Sequence, residues 1–190
     1  MPQTLAQRIK PLPEPADPAS VATALDRLKG EDSAAAKLAA LAESPDAVGG
    51  LLRGVLAGSP FLTELMVRNP AFTIDSLDLA PEESLERLCA AIVAEVAAAP
   101  DERSVKAALR QTRAKAALVI ALADLGGAWE CEQVTAALTR FADTSIAAAV
   151  DWLLRDAERA GRLCELDPEQ PGRGSGYVVL ALGKHGAFEL

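Results

Sequence analysis

The chain has 190 residues, half of them apolar, and carries 19 lysines and arginines against 27 aspartates and glutamates for a formal net charge of −8. That length is enough to bury a substantial core, and the acidic balance excludes a general role in coating nucleic acid or an anionic membrane while leaving room for a local basic patch. The apolar residues are mostly alanine and leucine, with only 4% aromatics, which favours close-packed helices over sheets.

The first ten residues lack the apolar core of a signal peptide, and no apolar run approaches the ~18 residues of a membrane span. A cytoplasmic location, with reduced thiols and no disulfides, is therefore expected. Residues 11–20, PLPEPADPAS, contain four prolines and read as an extended lead-in, so residues 1–19 are assigned to a Pro-rich segment. A helical domain is expected over 20–170. Its first helix lies in SVATALDRLKG, with Ser20 as N-cap and Gly30 just past the end, and its second in DSAAAKLAALAES, capped by Asp32 or Ser33. A third, from about Pro45, is weakened by Gly49, Gly50 and Gly54, each costing about 1 kcal/mol in a helix.

SPFLTELMVRNPAF is better defined. Ser59 can cap and Pro60 suits the first helical position; Asn69 with Pro70 stops the helix, and Phe61, Leu62, Leu65 and Met66 share a face. A loop is expected through Ala80. PEESLERLCAAIVAEVAAA then repeats Leu85, Leu88, Cys89, Ile92 and Val96 at helical spacing behind a first turn of acids, where Glu82 and Glu83 complement the helix dipole rather than form a catalytic pair; Glu130 and Glu132 read the same way. From Asp101, a stripe of Val105, Leu109, Thr112, Ala116, Ile120 and Ala123 runs to Gly126 and Gly127. The last long helix, from Glu130 to near Gly161, has one apolar side of Val134, Leu138, Phe141, Ala148 and Trp152. Ile146, Val150 and Leu153 form a second side, so its latter half should be sandwiched.

Composition changes at about residue 170. DPEQPGRGSG is a loop and YVVLAL, Tyr177–Leu182, is β-branched and aromatic at strand length. A lone strand has no partner for its backbone groups within the chain, and further sequence is the simplest source of one. The fold class expected is thus mostly α: a multi-helix N-terminal domain followed, in 171–190, by the first strand and turn of a truncated α/β domain.

Chemistry-bearing residues are few. Cys89, Cys131 and Cys164 are widely spaced and His185 is the only histidine, which supports neither a zinc site nor a disulfide framework; the cysteines fall mostly on apolar helical positions and read as small buried hydrophobes. Trp129 and Trp152 read as packing residues. The turn Gly183-Lys184-His185-Gly186 offers glycines that let a backbone approach phosphate, with a lysine to add charge, although it matches neither the P-loop nor the Rossmann pattern. His185 either touches a phosphate or base or is a plain loop histidine. Arg103, Lys106, Arg110 and Arg113 share one helical face, either a wall for phosphate or an acidic partner or a solvated face; Lys115 lies on the other side of the stripe.

Several segments, read together, resemble the glutamine synthetase adenylyltransferase family. LALGKHGAFEL is similar to its G-K-x-G-x-x-E-L turn at Gly183, Lys184, Gly186, Glu189 and Leu190. GSPFLTELMVRNPAF resembles its S-P-F-L helix at Ser59, Pro60, Phe61, Leu62, Arg68 and Pro70. LRQTRAKAALVIALADLGGAWECEQVTAALTRFADTSIAAAV is similar to its arginine-bearing helix, Asp-Leu-Gly turn and following helix, with that helix's Val-Thr start and Ala-Asp middle. The resemblance implies a nucleotidyltransferase-like fold whose terminal turn, Gly183, Lys184 and Gly186, contacts nucleotide or phosphate, with Arg110 and Arg113 as further candidates. It also implies the half of a bifunctional enzyme that removes AMP from a tyrosine of glutamine synthetase by phosphorolysis, with magnesium, ATP or another nucleotide, and inorganic phosphate. Glutamine synthetase and a PII-type nitrogen-signalling protein are the implied partners. The family's Asp-x-Asp metal pair is absent from these 190 residues, so the chain alone is expected to be inactive and to hold no cofactor firmly. The contrasting reading is an acidic helical adaptor without an active site. The reading frame beyond Leu190 separates the two: Asp-x-Asp favours the enzyme, a stop codon the adaptor.

Overall fold

A computed structural model of the chain describes residues 2–11, 15, 17–28, 32–164 and 166–190. The expected boundary at Gly30 lies outside them. The described residues form the helices α1 (Leu5–Arg8), α2 (Pro18–Leu28), α3 (Ser33–Glu43), α4 (Ala47–Gly58), α5 (Pro60–Arg68), α6 (Pro70–Leu77), α7 (Pro81–Ala97), α8 (Glu102–Leu125), α9 (Cys131–Arg159) and α10 (Gly183–Gly186). Two compact units are distinguishable, one made of the chain up to Leu85 with Ala114–Val134, the other of Glu86–Arg113 with Thr135–Leu190. Among the described residues no single helix is long and apolar enough to cross a membrane.

In the first unit, α3 packs on α4 and α6, and α2 on α4, burying Leu28, Leu38, Leu52 and Met66 completely. Caps set the helix starts. Asp46 accepts from Gly49 N at 2.9 Å, and that bond holds its carboxyl below the usual range. Ser59 accepts from Leu62 N at the start of α5. Asp17, rather than Ser20, begins α2: its carboxylate accepts from the amides of Ala19 and Ser20 at 3.1 and 3.2 Å. The helix therefore starts earlier than expected, with Pro18 at the first position, where a missing N–H costs nothing. The glycines do not interrupt α4. Asn69-Pro70 ends α5 but also opens α6, so the loop expected there is largely a helix with proline at its first position.

The short α1 is closed by a capping box between Thr4 and Gln7, and Leu5 is fully buried beneath it. Arg8 Nη1 reaches both oxygens of Glu82 at 2.8 Å, while Nη2 donates to the Ala128 carbonyl at 2.6 Å. Trp129 Nε1 donates to Glu82 Oε1 at 2.7 Å. Burial alone would push the Glu82 carboxyl up, but the Arg8 and Trp129 donors outweigh it and hold it below the ordinary range. Glu82 is thus tied to Arg8 and Trp129 as well as placed in the first turn of its helix.

The second unit is built on the predicted stripes. Ile92, Val96, Ala99, Val105, Ala148 and Trp152 form one buried cluster flanked by Ala108 and Leu109. Trp152 Nε1 donates to the Ala99 carbonyl at 2.9 Å, so the largest side chain of the cluster also satisfies a buried polar group. Arg140 pairs with Glu86, and Thr112 Oγ1 donates to Glu95 Oε2 at 3.4 Å.

The expected first strand is not seen. Residues 177–182 form no strand and make no ladder hydrogen bonds among the described residues. A strand exists through its partner's backbone groups, and without one Val178, Leu180 and Leu182 stand 72%, 78% and 82% exposed. The nucleotidyltransferase-like α/β element is accordingly not seen among the described residues, whose regular elements are all helices.

Replacing Trp152 should show what holds the second unit. Trp152→Ala is expected to lower unfolding free energy by about 3–5 kcal/mol, and Trp152→Phe, which strands the Ala99 carbonyl, by about 1–3 kcal/mol. Urea denaturation followed by circular dichroism reads both, and a loss below about 1 kcal/mol for Trp152→Ala would contradict this packing.

Candidate functional site

The turn after residue 182 holds both a left-handed glycine and the left-handed non-glycine residue found among the described residues, Phe188. Gly183 has φ +61° and a Cβ there would meet nothing within 4 Å, so its requirement is conformational. Gly186 is constrained by space: an added Cβ would lie 2.5 Å from the Ala181 carbonyl oxygen. The two glycines of the motif are thus needed for different reasons. Amides of Ala187, Phe188 and Glu189 donate back to the carbonyls of Gly183, His185 and Lys184 at 3.0, 3.1 and 2.8 Å, closing the turn on itself. Phe188 takes φ 59°, a left-handed conformation that costs a bulky residue of order 1–2 kcal/mol.

Lys184 is exposed and its side chain has no ion pair among the described residues. The first amides of so short a helix have no acceptor within it. His185 is turned inward: its side chain is 19% exposed and Nε2 lies 2.7 Å from Asp143 Oδ1 on α9. An ionised carboxylate only accepts, so Nε2 carries the hydrogen in this contact.

Beside this pair is a cleft of about 460 Å³, walled on α9 by Ile146, Val150 and Asp151 and on the terminal segment by Val179, Leu180 and Leu182. The second apolar side of α9 is therefore faced by the terminal segment instead of a helix, and Leu153 remains 53% exposed. The preceding loop is tied down by Leu166 N donating to Glu158 Oε1 at 3.0 Å and Arg155 Nη2 to the Pro168 carbonyl at 3.3 Å.

Arg103, Lys106, Arg110 and Arg113 are all exposed on α8, with Lys106 paired to Glu102 at 2.5 Å. No hydrogen bond or ion pair joins Arg110 or Arg113 to the terminal turn among the described residues. Lys115 lies over the Phe72 ring, 5.5 Å from its centroid. Only Cys89 is a buried thiol; Cys131 and Cys164 are exposed, because one begins α9 and the other lies in the loop beyond it. Trp129 and Trp152 are buried packing residues. Among the described residues no three His, Cys, Asp or Glu side chains converge as metal ligands, so these residues do not fit a divalent metal centre. Asp143 falls in the Ala-Asp middle of the family-like helix, but its contact with His185, 42 residues away in sequence, carried no sequence signal.

Fold and site together define a helical chain that presents, beside the longest of its described helices, an exposed glycine–lysine turn. Comparison with known proteins names the family. The chain belongs to the glutamate-ammonia ligase adenylyltransferase family, whose profile matches residues 49–190, the turn included. Relatives named bifunctional glutamine synthetase adenylyltransferase/adenylyl-removing enzyme share 48% identity over 137 residues in Xanthobacter autotrophicus, 43% over 140 in Bradyrhizobium diazoefficiens and 41% over 145 in Caulobacter vibrioides. These matches cover 72%, 74% and 76% of the chain but only 14%, 14% and 15% of the relatives' length. No solved structure gives a significant match.

The steric role of the second glycine is directly testable. Gly186→Ala is expected to move the turn off the Ala181 carbonyl and speed amide exchange at Ala187, Phe188 and Glu189, with α9 unaffected; unchanged exchange at these amides would show that the turn tolerates the methyl group.

Proposed function

We propose that this chain is the helical lead-in and first phosphate-facing turn of the adenylyl-removing half of a glutamine synthetase-modifying enzyme. The observation that carries the reading is the family match running through Gly183, Lys184 and Gly186, at a turn where Gly186 has no room for a Cβ and Lys184 is exposed. In the reaction, an orthophosphate oxygen bonds to the adenylyl phosphorus as the bond to the tyrosyl oxygen breaks. ADP leaves, and the tyrosine recovers its proton. Such transfers are driven mainly by positioning and by neutralising phosphate charge. Lys184, exposed in the Gly183–Gly186 turn, supplies part of that neutralisation, and Arg110 and Arg113 are weaker candidates for the same task.

Among the described residues no three His, Cys, Asp or Glu side chains gather as metal ligands, and on this reading magnesium and the rest of the nucleotide site are not supplied by them. Glutamine synthetase is the substrate partner, a PII-type protein the regulatory one, and the cytoplasm the compartment. On this reading the chain alone releases no ADP from adenylylated glutamine synthetase supplied with orthophosphate and magnesium, and metal-dependent release by the pure chain would overturn it. The positive arm grafts residues 49–190 into the Xanthobacter autotrophicus relative. There Lys184→Ala is expected to raise the KM for orthophosphate in AMP removal by ~10–100-fold, the value of one charge-assisted contact. An unchanged KM would leave the helical adaptor as the better account.

A further inference from the structure

We infer that Asp143, acting through His185, is the positioning residue that sets the direction of the terminal turn. The inference rests on the reading of this turn as phosphate-facing; the contact itself does not.

The geometry leaves the turn few other anchors. Among the described residues, 177–182 make no ladder and the exposed Lys184 makes no ion pair. Among the described residues the 2.7 Å bond from His185 Nε2 to Asp143 Oδ1 is the sole side-chain hydrogen bond joining α10 to α9. Asp143 in turn stands on a rigid support, one face of a helix whose other face is buried through Phe141, Ala148 and Trp152. His185 lies between Lys184 and Gly186, so holding its ring on α9 fixes the peptide planes on either side. The exposed Lys184 side chain is then held on the solvent side of the turn. The left-handed Phe188 is the kind of strained residue that persists only where its surroundings hold it.

The test uses the chain itself, whose single histidine makes its ring nitrogen signals unambiguous by NMR. In the wild type the Nε2 proton should exchange slowly, and it should vanish in Asp143→Ala. Exchange at the Ala187, Phe188 and Glu189 amides should then rise by ~10-fold, the equivalent of one lost hydrogen bond, while α9 amides keep their protection. Asp143→Asn, which still accepts through its amide oxygen, should restore both signals. If Asp143→Ala leaves the ring proton and these amides unchanged, the anchoring contact is overturned. In the grafted enzyme, Asp143→Ala should raise the KM for orthophosphate with little change in kcat. An effect of Lys184→Ala without one of Asp143→Ala overturns the positioning role. No effect of Lys184→Ala overturns the phosphate reading on which that role depends, leaving the NMR result to stand as a purely structural contact.

Discussion

The burial of Trp152 is the constraint on which the second unit depends. Its ring fills the cluster formed by Ile92, Val96, Ala99, Val105 and Ala148, and its N–H satisfies the Ala99 carbonyl. Once that side of α9 is committed to the core, Ile146 and Val150 face outward, and the terminal segment is what lies over them. The same orientation puts Asp143 where His185 can reach it. The candidate site is thus placed by a packing decision made elsewhere on the helix.

The terminal segment shows how far a helical scaffold can prepare a turn without completing a sheet. Val178, Leu180 and Leu182 are exposed and make no ladder hydrogen bonds among the described residues, a state that costs little in water and much in an apolar interior. The turn that follows is nonetheless closed by its own amides. Its two glycines meet separate demands, one for a left-handed φ and one for clearance from a carbonyl. Both demands come from the turn's own backbone, and its proposed role toward phosphate rests on the exposed Lys184 and the family match.

Much of the helical scaffold was legible in the sequence because it is periodic. The buried positions Leu85, Leu88, Cys89, Ile92 and Val96 of α7, and Val105, Thr112, Ala116, Ile120 and Ala123 of α8, fall where 3.6-residue spacing puts them. Punctuation was less reliable. Asn69-Pro70 was read as a stop, yet proline at a first helical position also starts α6; Asp17 outcompeted Ser20 as the cap of α2 because it reaches two amides. Phe61, placed by spacing on one face with Leu62 and Met66, is 60% exposed while those two are buried. The strand failed for a non-local reason, since β propensity makes a segment able to pair but supplies no partner. Within the site, the motif glycines and Lys184 were visible as residue types at fixed spacing. The contact of His185 with Asp143 was not, because nothing local to either residue encodes it.

The central claim is that the Gly183–Gly186 turn meets phosphate. The most direct measurement is hydrogen exchange at the amides of residues 183–189 in the grafted enzyme, with and without orthophosphate. The account predicts that orthophosphate slows exchange there and that Lys184→Ala abolishes the slowing; exchange that ignores orthophosphate in the unsubstituted graft would contradict it.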